Sequence, residues 1–269
     1  MTDAPGERAA QGGVSRFRAQ GGVLMSTSSS APNTGVTVAF VHGAFADSSG
    51  WNDVVAQLQR AGITAQAISN PLRGIAEDTA YVASALSQIP GRVLAVGHSY
   101  GGAIITNAVP RVGNVIGLVY VAAFAPDEGE VLGELAADSK DSVLNTALVE
   151  LKYPTTDGGS ATEFAINPLK FHGTFAADLS EKQAAVMAAT QRPVAEAGFT
   201  ERSGPPAWKN LPCWAVVATG DTAAGADIVR SMAERANANI TEVKGSHVIM
   251  MSQPKAVADV IRNALSSLN

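Results

Sequence analysis

Apolar runs of strand length alternate with helical patterns along most of the chain. Runs rich in apolar and β-branched residues predict strands over residues 36–41, 63–68, 92–96, 115–122, 213–219 and 240–243. Helical patterns lie between or after them, over residues 51–61, 77–88, 103–108, 228–236 and 255–268. Because strands alternate with helices, we expect an α/β fold with a mostly parallel, doubly wound sheet.

The alternation is interrupted between residues 128 and 209. This region holds helical patterns over residues 142–151 and 180–191 and a polar loop over residues 155–160. An insertion at this point of an α/β chain lies over the carboxyl edge of the sheet, where such folds build their sites. We therefore interpret residues 128–209 as a helical cap, and residues 35–127 and 210–269 as the core.

Residues 1–34 differ in composition from the rest. They are mostly small and polar, with two Gly-Gly pairs and a run of Ser and Thr, so they cannot bury a core. We expect a flexible N-terminal arm, with Met25 as a candidate internal start. The arm lacks the ~7–15-residue apolar stretch of a secretory signal, and the chain has no ~20-residue apolar span. A cytoplasmic location is expected.

Composition narrows the classes of function. The chain has 269 residues, 46% hydrophobic and 16% charged, enough for a large core with a cap. Its net charge of -5 gives no reason to expect nucleic acid or an anionic membrane as a partner. The single cysteine, Cys213, lies in an apolar strand and is expected to be a small buried hydrophobe. No metal-ligand spacing and no dinucleotide-binding glycine motif is found, so we expect neither metal nor cofactor.

The sequence Gly-His-Ser-Tyr-Gly occupies residues 97–101, between a predicted strand and a predicted helix. It matches the nucleophile elbow, a strained strand-to-helix turn that exposes a serine hydroxyl. Gly97 and Gly101 supply two positions without a Cβ, which such a crowded turn needs. Ser99 is therefore the candidate nucleophile.

A serine nucleophile needs a base, and the base needs a carboxylate that orients it. In chains that carry a nucleophile elbow, these residues follow one another along the sequence in the order Ser, then Asp or Glu, then His. Asp221 follows the last long apolar strand, and His247 lies in the loop after the final strand. Two alternatives to Asp221 remain: Asp127, in a strong turn signal, and Asp227, which better suits the start of a helix.

The loop after the first strand reads Val-His-Gly-Ala at residues 41–44. It is of the type that supplies the second amide of an oxyanion hole. The predicted donors are the backbone N–H groups of Ala44 and Tyr100. His42 is expected to lock this loop rather than to take part in chemistry.

The elbow, the Asp and His candidates and the loop after the first strand together resemble those of a known family. The chain resembles serine esterases of the α/β-hydrolase fold, and within them the branch of plant methylesterases and hydroxynitrile lyases with their bacterial relatives. The likeness spans roughly residues 35–268 and is carried by residues 41–44 with Trp51, 97–102, 122–127 and 247–254. The elbow is shared across the superfamily, whereas the segment that begins at His247 points to the branch.

One departure bears on the activity. In the branch, cyanohydrin-cleaving members carry a Lys directly after the catalytic His and a Thr in the loop after the first strand. Here Val248 follows His247, and Gly43 and Ala44 follow His42. The resemblance therefore implies ester hydrolysis rather than hydroxynitrile C–C lyase chemistry. The lyase, a cofactor-free oxygenase or perhydrolase, and a non-catalytic ligand-binding protein remain as alternatives.

Apolar side chains of the cap and the sheet edge indicate the substrate. The predicted pocket residues are Phe45, Phe124, Phe164, Phe171, Met187 and Trp208; Tyr100 and Phe175 are further candidates. They suggest an acyl or alcohol pocket rather than a sugar or phosphate site. We expect hydrolysis of carboxylic esters of small to medium apolar substrates through an acyl-enzyme. The expected partner is the small-molecule ester, and a homodimer is left open.

Overall fold

The computed structural model describes residues 1–2 and 35–268. The predicted arm over residues 1–34 lies almost entirely outside the described residues. Within residues 35–268 the chain forms nine strands. In chain order they are β1 (Val36–Val41), β2 (Ala65–Ile68), β3 (Arg92–His98), β4 (Val115–Val121), β5 (Leu148–Pro154), β6 (Ser160–Ile166), β7 (Val194–Ala195), β8 (Cys213–Ala218) and β9 (Asn239–Val243).

Ten α-helices accompany the strands in the same part of the chain. They are α1 (Asn52–Arg60), α2 (Ile75–Ser87), α3 (Tyr100–Ala108), α4 (Leu132–Asp138), α5 (Pro168–Phe175), α6 (Glu181–Thr190), α7 (Ala197–Thr200), α8 (Ala226–Arg235), α9 (Ile249–Ser252) and α10 (Pro254–Ser267). None of the described helices is both long and apolar enough to cross a membrane.

Six strands form the central sheet, in the order β2-β1-β3-β4-β8-β9, and every neighbouring pair is parallel. The predicted fold class is confirmed. All six residues of β8 are buried, as expected of an interior parallel strand covered on both faces. Cys213, the first of them, is buried, and burial raises the pKa of its thiol to about 12. It is the small buried hydrophobe that its position predicts.

The register of the sheet decides which loops meet at its carboxyl edge. Val41 lies opposite Gly97, so the loop after β1 emerges beside the end of β3. Ala218 lies opposite Val243, so the loops after β8 and β9 also emerge side by side. Parallel strands that end at one edge bring loops from distant parts of the chain together.

The insert before β8 contains a second, antiparallel sheet in the order β5-β6-β7. The predicted helix over residues 142–151 is therefore wrong: a 3-10 turn, Leu144–Thr146, leads into β5. Strand β5 pairs along its whole length with β6, and this partner decides its conformation more than local spacing does. The helix predicted over residues 180–191 is confirmed as α6, whose start is fixed by a capping box between Ser180 and Gln183.

Candidate active site

Ser99 lies between β3 and α3 in a strained backbone conformation. Its φ is 52°, a left-handed value that a residue with a side chain rarely adopts. The turn is held by backbone hydrogen bonds, because the Ser99 carbonyl accepts from the N–H of Gly102 (2.9 Å) within the turn and from that of Phe124 (3.2 Å) in the loop after β4. The side chain remains at the edge of a cavity, with Ser99 6% exposed.

Gly101 allows the elbow to lie directly against the loop after β1. A Cβ at this position would meet the carbonyl oxygens of Val41 and His42, the latter at 2.7 Å. Real Cβ atoms essentially never come this close to backbone, so any side chain here must push two buried loops apart.

Gly101→Ala should destabilise the protein by about 2–3 kcal/mol because the added methyl group overlaps buried backbone. Gly173→Ala is the matched control, since Gly173 also lies in a helix but has open space where the Cβ would go. That change should stabilise by about 0.5–1 kcal/mol. Urea denaturation of both variants measures the difference, and equal stabilities would contradict the close approach at Gly101.

His247 and Asp221 form a buried hydrogen-bonded pair. Nδ1 of His247 and Oδ2 of Asp221 are 2.8 Å apart, and each side chain is 1% exposed. The second carboxylate oxygen accepts hydrogen bonds from the backbone N–H of Ala223 (2.9 Å) and Ala224 (3.0 Å). With Nδ1 bonded to a carboxylate, the proton lies on Nδ1 and Nε2 is left as the acceptor that a general base needs.

Two further contacts hold the loop of His247. Nε2 of His98 donates to the carbonyl oxygen of His247 (3.0 Å), and burial together with the neighbouring His247 ring lowers the pKa of His98 well below its usual value. Asp178, from the insert, accepts from the backbone N–H of Ser246 (2.9 Å) and from its hydroxyl. Burial would raise the pKa of Asp178, but the hydrogen bonds from Ser246 outweigh it and lower the pKa. The insert thus anchors the residue directly before His247.

Both alternatives to Asp221 are engaged elsewhere. Asp127 forms an ion pair with Lys209 at 2.5 Å, and the Lys209 ammonium group lowers the pKa of Asp127. Asp227 lies in the first turn of α8, and its carboxylate accepts from Ser139 Oγ (2.5 Å). The structure therefore brings only Asp221, of these three, to His247.

Ser99 and His247 border the same cavity. Among residues 35–268, no hydrogen bond joins the Ser99 hydroxyl to His247 or to any other group. Such bonds are commonly long in unliganded enzymes and tighten when substrate is bound. Tyr100 and Ala44 border this cavity too. Tyr100 is the first residue of α3, so its N–H has no acceptor within the helix.

His42 holds the loop that carries Ala44. Its Nδ1 donates to the Gly43 carbonyl (2.9 Å), and its Nε2 accepts from the backbone N–H of Asn70 (2.9 Å). Burial lowers the pKa of His42 to about 4, so the ring is neutral and both of its nitrogens have backbone partners. The predicted loop-locking role is confirmed.

The cavity has a volume of about 170 Å³ and a largely apolar wall. Phe45, Phe124 and Phe164, of the six predicted pocket residues, line it together with Ser99 and His247. The volume is close to that of an engineered cavity of roughly 150 Å³ that binds benzene. The space beside Ser99 therefore suits one apolar group of about that size.

The other three predicted pocket residues lie elsewhere. Phe171 is fully buried behind Phe175, with ring centroids 5.1 Å apart, and Phe175 takes its place at the cavity. Met187 borders a separate pocket of about 40 Å³. Trp208 packs outside the cavity, where its Nε1 donates to the carbonyl of Pro126 (3.0 Å). All three side chains lie in the hydrophobic core or pack against it, a role that composition does not distinguish from lining a pocket.

Residues 38–260 match the alpha/beta hydrolase family. The chain belongs to this family. No curated protein matches the sequence of this hydrolase.

Solved structures with the same fold as this hydrolase include esterases. Polyneuridine aldehyde esterase has a TM-score of 0.70 and 16% identity, over 85% of this chain and 98% of that one. The methylesterase MES16 from Arabidopsis has a TM-score of 0.71 and 18% identity, over 87% and 100%. An extracellular alpha/beta-hydrolase from a Paenibacillus species, described as homologous in structure and function to tobacco salicylic acid binding protein 2, has a TM-score of 0.69 and 20% identity, over 85% and 98%. The predicted resemblance to this branch is confirmed at the level of the fold.

Several residues of the hydrolase's site gave no signal in the sequence. Leu132, Leu144, Leu148 and Phe199 line the cavity, but each is one apolar residue among many in the insert. Asp178, which holds the His247 loop, belongs to no motif. In the described residues, no group of three or more His, Cys, Asp or Glu side chains could hold a metal ion.

Proposed function

We propose that this hydrolase is a serine esterase that cleaves carboxylic esters of small to medium apolar substrates. The observation that carries the proposal is the buried His247–Asp221 pair beside a cavity whose wall is mainly apolar and whose edge holds Ser99. Esterases among the solved structures of the same fold add support. Cavities of this kind bind apolar groups through burial, while a few polar groups fix the orientation of the ligand.

The first half of the proposed reaction forms an acyl-enzyme. His247 Nε2 takes the proton of the Ser99 hydroxyl as Oγ attacks the ester carbonyl. The N–H groups of Ala44 and Tyr100 stabilise the oxyanion of the tetrahedral intermediate. When this intermediate collapses, the imidazolium of His247, stabilised by Asp221, gives its proton to the departing alcohol.

The second half returns the enzyme to its starting state. His247 takes a proton from water, which attacks the acyl carbonyl, and the same two N–H groups stabilise the second oxyanion. The carboxylic acid leaves as Ser99 recovers its proton. Each step uses the same three side chains, so the loss of any one of them should affect both halves.

A panel of p-nitrophenyl esters of increasing acyl length tests the proposal. Butyrate should exceed decanoate in kcat/KM by about 10-fold or more, because a cavity of about 170 Å³ does not enclose a ten-carbon chain. Methyl esters of small apolar acids should also be cleaved. A chain that binds these esters without turnover would be a ligand-binding protein, and that outcome would contradict the proposal.

Hydroxynitrile lyase activity is expected to be absent. Val248, directly after His247, is apolar and fully buried, and the described lining of the cavity contains no Lys or Arg to stabilise a departing cyanide, and no Thr. Lys244 lies on a separate surface groove with Gly245 and Ser246. Mandelonitrile should therefore release cyanide at no more than the background rate while butyrate esters are hydrolysed. Rapid, enantioselective cyanide release would favour the lyase instead.

A further inference from the structure

Strand β5 is an open edge of the insert's sheet. It pairs with β6 on one side, and no strand of the described chain pairs with its other side. Its side chains are exposed as well: Val149 is 38% and Leu151 39% exposed. Unpaired strands of this length present a row of free N–H and C=O groups that can pair with another chain.

The charges on β5 are complementary to those of a second copy of the same strand that runs in the opposite direction. Glu150 and Lys152 flank Leu151, their side chains lie 2.6 Å apart, and each is 58% exposed. They project from one face of the strand, while Val149, Leu151 and Tyr153 project from the other, since side chains alternate along a strand. The strand therefore carries a negative charge directly before Leu151 and a positive charge directly after it.

We propose that two copies of this chain pair through antiparallel β5 strands, with a twofold axis at Leu151. Such a pairing places Glu150 of each copy opposite Lys152 of the second copy, so opposite charges meet twice. Leu151 meets Leu151, and Val149 meets Tyr153 on the apolar face. Opposite-charge and apolar cross-strand pairs are the contacts that stabilise neighbouring strands. The two three-stranded sheets then form one sheet of six strands.

The charge pattern also selects the direction of pairing. A parallel, in-register pair would set Glu150 against Glu150 and Lys152 against Lys152, and like charges directly opposite each other are destabilising. Twofold pairing uses the same surface on both copies and is therefore closed.

The opposite edge of the insert's sheet does not allow further growth. It is formed by β7, which has only two residues, Val194 and Ala195. The N–H of Ala195 is already bonded to the carbonyl of Leu72 (2.9 Å). The assembly is thus a dimer rather than a fibre.

Sedimentation velocity of the full chain over a range of micromolar concentrations tests the dimer. Wild type should sediment as a dimer. Glu150→Lys and Lys152→Glu should each raise the dimer dissociation constant by about 10-fold or more, because each change acts at two symmetry-related pairs. The double variant, E150K with K152E, exchanges the two charges and should restore a dissociation constant within about 3-fold of wild type.

Lys182→Glu is the matched control for Lys152→Glu, since it makes the same change in net charge at an exposed position of α6. It should leave the dissociation constant unchanged. A monomeric wild type, single variants that dimerise as well as wild type, or a double variant that stays as weak as the single ones would each overturn the proposed interface. Circular dichroism of each variant shows that a lost dimer does not reflect a lost fold.

Discussion

Ser99→Ala should reduce ester hydrolysis by about 10⁴–10⁶-fold and leave the fold intact. The change removes the hydroxyl that acts as nucleophile in the proposed reaction, at the edge of the cavity. It removes no hydrogen bond recorded in the described chain, and the backbone bonds that hold the elbow do not involve the side chain. A φ of 52° costs alanine about the same conformational free energy as serine, because both residues carry a Cβ. The stability of the protein should therefore change little. The measurements are kcat/KM for p-nitrophenyl butyrate and the midpoint of urea unfolding.

Covalent labelling provides the control for this variant. A fluorophosphonate should add one equivalent of mass to the wild type, at Ser99, and none to Ser99→Ala. Ser87→Ala, which removes an exposed hydroxyl at the end of α2, should keep both full labelling and full activity. Labelling at another serine, or a fully active Ser99→Ala, would overturn the choice of nucleophile.

Asp221→Asn should reduce kcat by about 10⁴-fold, the cost of the same substitution in the triad of a serine protease with another fold. The side-chain oxygen of an asparagine can still accept hydrogen bonds from the N–H groups of Ala223 and Ala224. Its NH₂ group then faces Nδ1 of His247, which must accept instead of donate. The ring proton moves to Nε2, where it blocks transfer from Ser99, and the charge that stabilises the imidazolium is lost.

Two matched variants accompany this prediction. Asp127→Asn and Asp227→Asn make the same chemical change at carboxylates that bind Lys209 and Ser139 rather than His247. Each should keep kcat within about 3-fold of wild type, as expected of surface positions away from the reacting groups. A severe loss for Asp127→Asn with a mild one for Asp221→Asn would move the acid to the loop after β4.

The strands of the central sheet follow directly from the apolar runs in the sequence. Strands β1, β4 and β8 were predicted to within one residue because interior parallel strands are buried on both faces and read as unbroken apolar runs. The elbow was equally visible, since its turn needs glycines at fixed positions around Ser99, and that requirement is local. Ser99, Asp221 and His247 follow β3, β8 and β9, so their order along the chain is the order of these strands.

Which side chains meet at the site depends on the packing of loops that are far apart in the chain. The choice of Asp221 over Asp127 and Asp227 depends on a 2.8 Å contact between loops of different strands, and all three have similar local sequences of turn or helix start. The local pattern predicts a helix where β5 lies, because the conformation of this strand comes from pairing with β6. The cavity wall and the anchoring of Ser246 by Asp178 arise from how the insert lies on the sheet. Contacts of this kind join residues far apart in the chain, so no local pattern of hydrophobic and polar positions encodes them.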